Sequence, residues 1–279
     1  MTVIREAAVA GQFYPGNASE LGAEIQVFFE AVQAAEGPAP KALIVPHAGY
    51  IYSGPVAATA YARLRPYRDL YTRVILLGPC HRVAVSGLAL SGADVFRTPL
   101  GDVPLDPDAI AALTMPEITV VATAHELEHS LEVHLPFLQT VIESFSLVPL
   151  VVGDATPESV AEVIDALWGG PETLIVISSD LSHYLSYDDA RLSDMDTCEA
   201  IENLEAHRID HDHACGATPI GGLLISAKRR GMQVTTLDLR NSGDTAGGRN
   251  QVVGYGSWLF MELSKTEDNS VALQQRVYN

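Results

Sequence analysis

Two short runs, KALIV at 41–45 and RVILLG at 73–78, are apolar at consecutive rather than alternate positions once past their leading basic residue. A strand with one wet face alternates polar and apolar residues. An unbroken apolar run is covered on both sides, as in a sheet flanked by helices. Between the two runs, GPVAATAYARLR places a proline where a helix's first turn tolerates one, so the unit reads strand, helix, strand.

The rest of the chain keeps this alternation. Asn17 and Glu20 have the spacing of a capping box, and Leu21, Ile25, Phe28, Phe29 and Val32 share one face of a helix that stops at Gly37-Pro38. VSGLAL reads as a strand, and FRTPLGDVPLD as a loop or hairpin leading to a helix start at Asp106-Pro107. HELEHSLEVHLPFLQTVIE has the pattern of one helix kinked at Pro136, followed by the strand SLVPLVVGD, a helix from Pro157 to Leu167 and the strand TLIVISSD. Helices over Ala190 to about His207 and over Pro219 to Arg230 precede the strands QVTTLDL and VVGYGSWLF. The expectation is one α/β domain over 1–262, with a mostly parallel sheet flanked by helices, and a polar tail over 263–279.

Composition narrows the class of function. No apolar run reaches the roughly 18–20 residues of a membrane span, and MTVIREAAVAGQFYPG lacks a signal-peptide layout, which together point to the cytoplasm. Cys80, Cys198 and Cys215 include no CxxC pair and suit a reducing compartment. A formal net charge of -18 with three lysines repels phosphate, so neither nucleic acid nor an anionic membrane is the expected partner.

One event recurs along the chain. The apolar run LIV is followed by Pro46-His47, VILLG by Pro79-Cys80-His81, and LIVISS by Asp180-Leu181-Ser182-His183. In a parallel sheet the carboxyl ends of the strands share one edge, where such folds bind ligands. A fourth run, TTLDL, brings Asp244 within reach of the same edge. Two imidazoles and one carboxylate on one face of an ion are the ligand set of non-haem Fe(II) oxygenases. Gly49, Gly78 and Gly243 stand beside these groups and permit close approach.

Two other motifs compete. His125-Glu126-Leu127-Glu128-His129 matches HExxH, the helical zinc-protease pattern, with Glu132 and His134 nearby but followed at once by a proline. Its alternative is a solvated acidic helix with one face at the site. In HRIDHDHACGATPIGG, the residues His207, His211, His213 and Cys215 fit no zinc spacing and read as a loop into the helix near Pro219. Cys80, next to His81, has a better claim to the site than Cys215.

The segments AGQFYPG, PHAGYIYSG, LGPCH, FRTPLG, EHSLEVHLPFL, VGD, SSDLSHY, CGATPIGG and SGD occur in an order that resembles the Memo family from about Val9 to Phe260. Prokaryotic members of that family are labelled AmmeMemoRadiSam system protein B. The family is similar in fold to class III extradiol dioxygenases of the LigB type. The resemblance implies a metal on His47, His81 and Asp244, with His183 in the base position and Asp180 fixing its tautomer. Fe(II) is the implied ion, with Cu or Zn as alternatives. Phe13, Tyr14, Tyr50 and Tyr52, with Cys80 and His129, are the residues expected to meet substrate. The implied activity is oxidation of a small aromatic molecule. The alternatives are a module that binds a peptide or protein in the same cleft, and the HExxH protease. Partner proteins of AMMECR1 and radical-SAM type are implied by the same resemblance.

Overall fold

The unbroken apolar runs form central strands, and each strand is buried because its side chains feed two cores in turn. A computed structural model describes residues 2–33 and 37–262, so the expected tail at 263–279 lies outside the described residues. Along the chain come β1 (Ile4–Arg5), α1 (Ala18–Glu30), β2 (Ala42–Val45), α2 (Tyr50–Tyr61), β3 (Arg73–Pro79), β4 (Leu88–Leu90), β5 (Val95–Thr98), β6 (Gly101–Pro104), α3 (Pro107–Ala111), β7 (Ile118–Val120), α4 (Ala122–Glu126), α5 (Leu135–Val141), β8 (Ser146–Val152), α6 (Pro157–Ala166), β9 (Thr173–Ser178), β10 (His183–Leu185), α7 (Tyr187–Glu202), α8 (Ala217–Arg229), β11 (Gln233–Asn241) and β12 (Val252–Met261).

Leu43, Val45, Leu76 and Val176 face a core shared with Leu21 and Ile25 of α1, Tyr61 of α2 and Phe137 of α5. Their neighbours Ile44, Ile75, Leu77 and Ile177 face a second core with Val160 and Ile164 of α6 and Leu223 and Leu224 of α8. Each such side chain contributes roughly 1.5–3 kcal/mol when fully buried.

The large sheet runs β10-β12-β2-β9-β3-β8-β4-β7, with β11 also on β12, and β1-β5-β6 form a small separate sheet. The expected mostly parallel sheet is corrected to a mixed one. The spine β2, β9, β3 and β8 is parallel. By contrast β12 runs antiparallel to β2, β10 and β11, and β4 antiparallel to β8. One of these pairs follows from connectivity: β11 leads into β12 with a single 3-10 turn over Ser242–Asp244 between them, and such a short return pairs antiparallel.

The long helix expected over HELEHSLEVHLPFLQTVIE is also corrected. α4 stops at Glu126, a single 3-10 turn covers Glu132–His134, and α5 starts afresh with Pro136 in its first turn. The acidic residues explain the break, because they turn inward. Glu132 is fully buried and accepts hydrogen bonds from Arg5 Nη1, from Tyr14 Oη, and from the backbone N–H groups of Ala8 at 2.7 Å and Val9 at 3.0 Å. This stitches the N-terminal segment to the body of the domain. The spine itself puts the carboxyl ends of β2, β9 and β3 side by side, which positions everything that follows.

Candidate metal centre

His47 follows β2 by two residues and is buried. Its backbone N–H donates to Asp180 Oδ1 at 2.7 Å, tying the end of β2 to the loop after β9. Its ring Nδ1 lies 2.6 Å from Ser178 Oγ, and that hydroxyl donates onward to the Ser130 carbonyl at 2.5 Å. The hydroxyl's only hydrogen is thereby used, so Nδ1 carries the imidazole proton and Nε2 presents a lone pair.

His81, just past β3, is held by Glu128. Its backbone N–H donates to Oε2 at 2.6 Å and its ring Nδ1 to Oε1 at 2.9 Å, which again leaves Nε2 for a ligand. Burial alone would raise the Glu128 carboxyl. Hydrogen bonds from the His81 ring and from backbone N–H groups outweigh it and bring the value down to about 2.

His129 completes the group. Its ring stacks on His81 with centroids 4.8 Å apart and lies tilted against Phe13 at 4.7 Å, while His47 stands edge-on to His81 at 5.2 Å and to His129 at 5.5 Å. One nitrogen from each of the three lies within 4.8 Å of the others, the spacing of a shared ion. His129 Nδ1 is 3.3 Å from Glu128 Oε1 but lacks hydrogen-bond geometry, and it is buried without a partner. Burial, aided by neighbouring imidazoles, holds His47 well below the ordinary histidine value and His129 at about 4. Both rings are therefore neutral near pH 7, the form that binds metal. The donor set fits an ion that takes nitrogen ligands.

The other expected residues divide between this edge and elsewhere. Asp180 is buried, and burial raises its carboxyl to about 7 against the hydrogen bonds from the His47 and Ala48 backbone. Its Oδ1 accepts from the His47 backbone N–H, and among the described residues no hydrogen bond joins it to the His183 ring expected as its partner. His183 lies on β10, with its value lowered by burial and by the positive potential of His81. Asp244 is outside the imidazole group. Its carboxylate accepts from Tyr187 Oη at 2.5 Å and from the Asn241 backbone N–H at 3.2 Å, closing a capping box on its own turn. Tyr14 and Tyr50, expected as cleft walls, are core residues whose hydroxyls donate to Glu132 and to the Val133 carbonyl. Phe13 packs on His129, and Tyr52 is exposed.

The two cysteines change places. Cys80 Sγ donates to the Val83 carbonyl at 3.1 Å, whereas Cys215 Sγ sits 3.3 Å from His47 Nε2. Gly216 allows this approach: a Cβ there would stand 2.6 Å from Ser179 Cβ and 2.7 Å from the Ser178 carbonyl oxygen. Burial and the charge of Asp180 raise the Cys215 thiol to about 12.

The HExxH match does not form a helical zinc site. His125 is buried with Nε2 2.9 Å from the Ala89 carbonyl, Glu126 is exposed, and the helix ends before His129. His213 pairs with Asp210 at 2.7 Å and His211 with Thr218 at 3.3 Å, both outside the imidazole group. Sequence reasoning missed Glu128 and Ser178 as the supports of the ligands. The spacing of Glu128 to His129 carried no periodic signal, and Ser178 is hidden in an apolar strand.

Comparison with known proteins identifies the family. A family model described as Memo-like protein matches residues 5–259. A MEMO1 family protein of Methanosarcina barkeri is 37% identical over 267 residues, covering 91% of this chain and 98% of its own. One from Aquifex aeolicus is 36% identical over 271 residues, covering 92% and 99%. The chain belongs to the Memo family. Among the described residues, no helix is long and apolar enough to cross a membrane.

Proposed function

We propose that this Memo family protein holds one divalent metal ion on His47, His81 and His129 and uses it as an oxidoreductase of extradiol-dioxygenase type on a small phenolic molecule. The observation that carries the metal reading is the convergence of three imidazoles, one with a buried nitrogen that no group among the described residues satisfies. Imidazole donors suit iron, copper and zinc alike, and Fe(II) is the ion that the dioxygenase-type chemistry requires. When bound, the ion supplies a Lewis acid with positions open to ligand oxygen.

The chain's own residues supply the rest. Ser178 and Glu128 fix the tautomers of His47 and His81. His183, kept in its base form by its depressed value, takes a proton from a phenolic O–H and returns it later. Asp180 holds the His47 backbone in place, and Cys215 adds a sulfur donor beside His47 Nε2. Asp244, the carboxylate ligand expected from the resemblance, would have to leave Tyr187 to join the centre, so three imidazoles are the simpler set. A cytoplasmic setting, and partners of AMMECR1 and radical-SAM type, belong to this reading through the family resemblance.

The test is elemental analysis of protein purified without oxygen, beside His47→Ala prepared in parallel. The expected result is near-stoichiometric iron that His47→Ala loses, followed by oxygen uptake when catechols are added. Metal content indifferent to His47 would remove the centre.

A second reading has its own observation. Ile51, Leu127 and Tyr184 are large apolar side chains left exposed, and each is close in sequence to a residue of the centre: His47, His129 and His183. A peptide- or protein-binding module would keep its affinity after chelation, whereas the enzyme would lose all turnover.

A further inference from the structure

A cavity of about 440 Å³ opens between the end of α1, the outer stripe of α2 and the edge strand β11, and none of its lining residues belongs to the metal centre. Its floor is apolar. Phe28, Val32 and Leu237 rest their inner sides on the first core and line the cavity with the rest. Phe28 can lie against α2 because residue 54 is a glycine: a Cβ there would stand 2.5 Å from Phe28 Cε2. A glycine inside a helix is a destabilising choice, and here the missing side chain is what sets the ring in place. Behind it, the Phe28 ring packs on Tyr50 at 6.3 Å and Phe137 at 6.4 Å, so the floor is backed by other rings.

The third wall is shaped by a bulge. Thr236 pairs with Trp258 and Asp238 with Ser257, which leaves Leu237 as the extra residue of β11. Strict alternation would send Leu237 and Asp238 to opposite faces of the strand, whereas the bulge lets both line the cavity. The charges gather here and on α2, where Pro55, Thr59 and Arg63 follow one another at the four-residue spacing of a single helix face. Arg240 donates to Asp238 through Nε at 3.0 Å and through Nη2, so its Nη1 hydrogens stay unused among the described residues. Two guanidiniums thus face one carboxylate, a surplus of one positive charge on the wall of a chain whose formal net charge is -18. So acidic a protein does not draw anions by its overall field, and any anion held here is held by these two residues.

We propose that this cavity is a second binding site, for a small amphipathic organic anion whose apolar body covers Phe28, Val32 and Leu237 and whose carboxylate or sulfonate head meets the Arg63 guanidinium. The volume is that of a small-molecule site, and the division into an apolar floor and a few polar groups is the one such sites show. A guanidinium presents paired N–H donors to such a head and fixes which end of the ligand points outward. The site stands or falls independently of the metal-centre reading.

The test titrates the full-length protein with anilinonaphthalene sulfonate, read by its fluorescence, beside phenylnaphthylamine, which has the same rings without the charge. Dodecanoate is expected to displace the sulfonate probe. Arg63→Gln should weaken the sulfonate about 10-fold, the size of one hydrogen bond to a charged group, and leave the neutral probe within about twofold. Ala31→Trp, at an exposed position on the rim, fills the cavity and should weaken both probes. Sulfonate affinity unchanged in both variants overturns the proposal, because the probe then sits elsewhere. Equal weakening of the two probes by Arg63→Gln also overturns it, since the guanidinium would then shape the cavity without reading a charge. Affinity that falls as the protein concentration rises would put a second copy of the chain in the groove and overturn it as well. Should Arg63→Gln fail to fold, Ala31→Trp decides: unchanged sulfonate affinity overturns the site, and a loss, with the sulfonate bound more tightly than the neutral probe by wild type, supports it.

Discussion

His47 and Ser178 form a hydrogen bond in which only one direction is open: Ser178 Oγ gives its hydrogen to the Ser130 carbonyl, so His47 Nδ1 must donate to it. The serine sits at the end of β9 and the histidine just beyond the neighbouring β2, in a register where Val45 pairs with Ser178. The parallel spine therefore selects the tautomer that turns Nε2 towards the centre. Ser178→Ala should lower metal affinity about 10- to 100-fold, the usual cost of losing a partner behind a ligand, with the fold retained. Competition against a chelator measures it, and an affinity within twofold of wild type would show that the serine plays no part in orienting the ring.

His129 and Asp244 separate two ligand sets. If three imidazoles hold the ion, His129→Ala loses it and Asp244→Asn keeps it. The carboxylate set expected from the sequence gives the reverse. Asp244→Asn should also cost little stability, because an asparagine retains an acceptor for Tyr187 Oη. Metal content of the two variants, purified in parallel, settles which set is used.

What the sequence revealed and what it concealed follow from the range of the interactions. His47, His81 and His183 were legible because each follows an apolar run, and a parallel register carries that local signal to one edge. His129 was expected as a substrate contact and as part of a helical motif that the chain does not form, but not as a member of the imidazole group. Its true position depends on Glu128 turning inward to hold His81, a contact across 47 residues. Cys215 depends on Gly216 packing against Ser178 and Ser179, which no local pattern encodes. The antiparallel part of the sheet was hidden for the same reason: β12 is as apolar as the parallel strands, and direction is not written in apolarity.

The buried pair of Arg5 and Glu132 is the strongest single tie of the N-terminal segment, with both side chains at or below 5% exposure. Glu132→Ala leaves the guanidinium, two backbone N–H groups and the Tyr14 hydroxyl without their acceptor. The loss should be about 3–5 kcal/mol in denaturant unfolding. Arg5→Ala should cost a similar amount, and the double variant less than the sum, because both remove the same pair. Additive losses would mean that the two residues act independently.

Acid stability tests a histidine that the centre does not use. His134 is buried in the first core, its Nδ1 2.8 Å from Tyr61 Oη and its Nε2 without a partner, and burial lowers it from an ordinary 6.5 to about 3. Above pH 6.5 the ring is neutral in both the folded and the unfolded chain, and the shift has no effect on stability. Between 6.5 and about 3 the unfolded chain takes up a proton that the folded one refuses, so stability falls as the pH falls. The slope from this residue is about 1.4 kcal/mol per pH unit. His134→Gln removes the titrating group, so its unfolding free energy, measured in chelator at several pH values from 6 to 4, should decline less steeply than wild type by about that amount. Parallel curves would show that His134 is protonated in the folded protein, which would require the packing around Nε2 to admit a counter-charge or water.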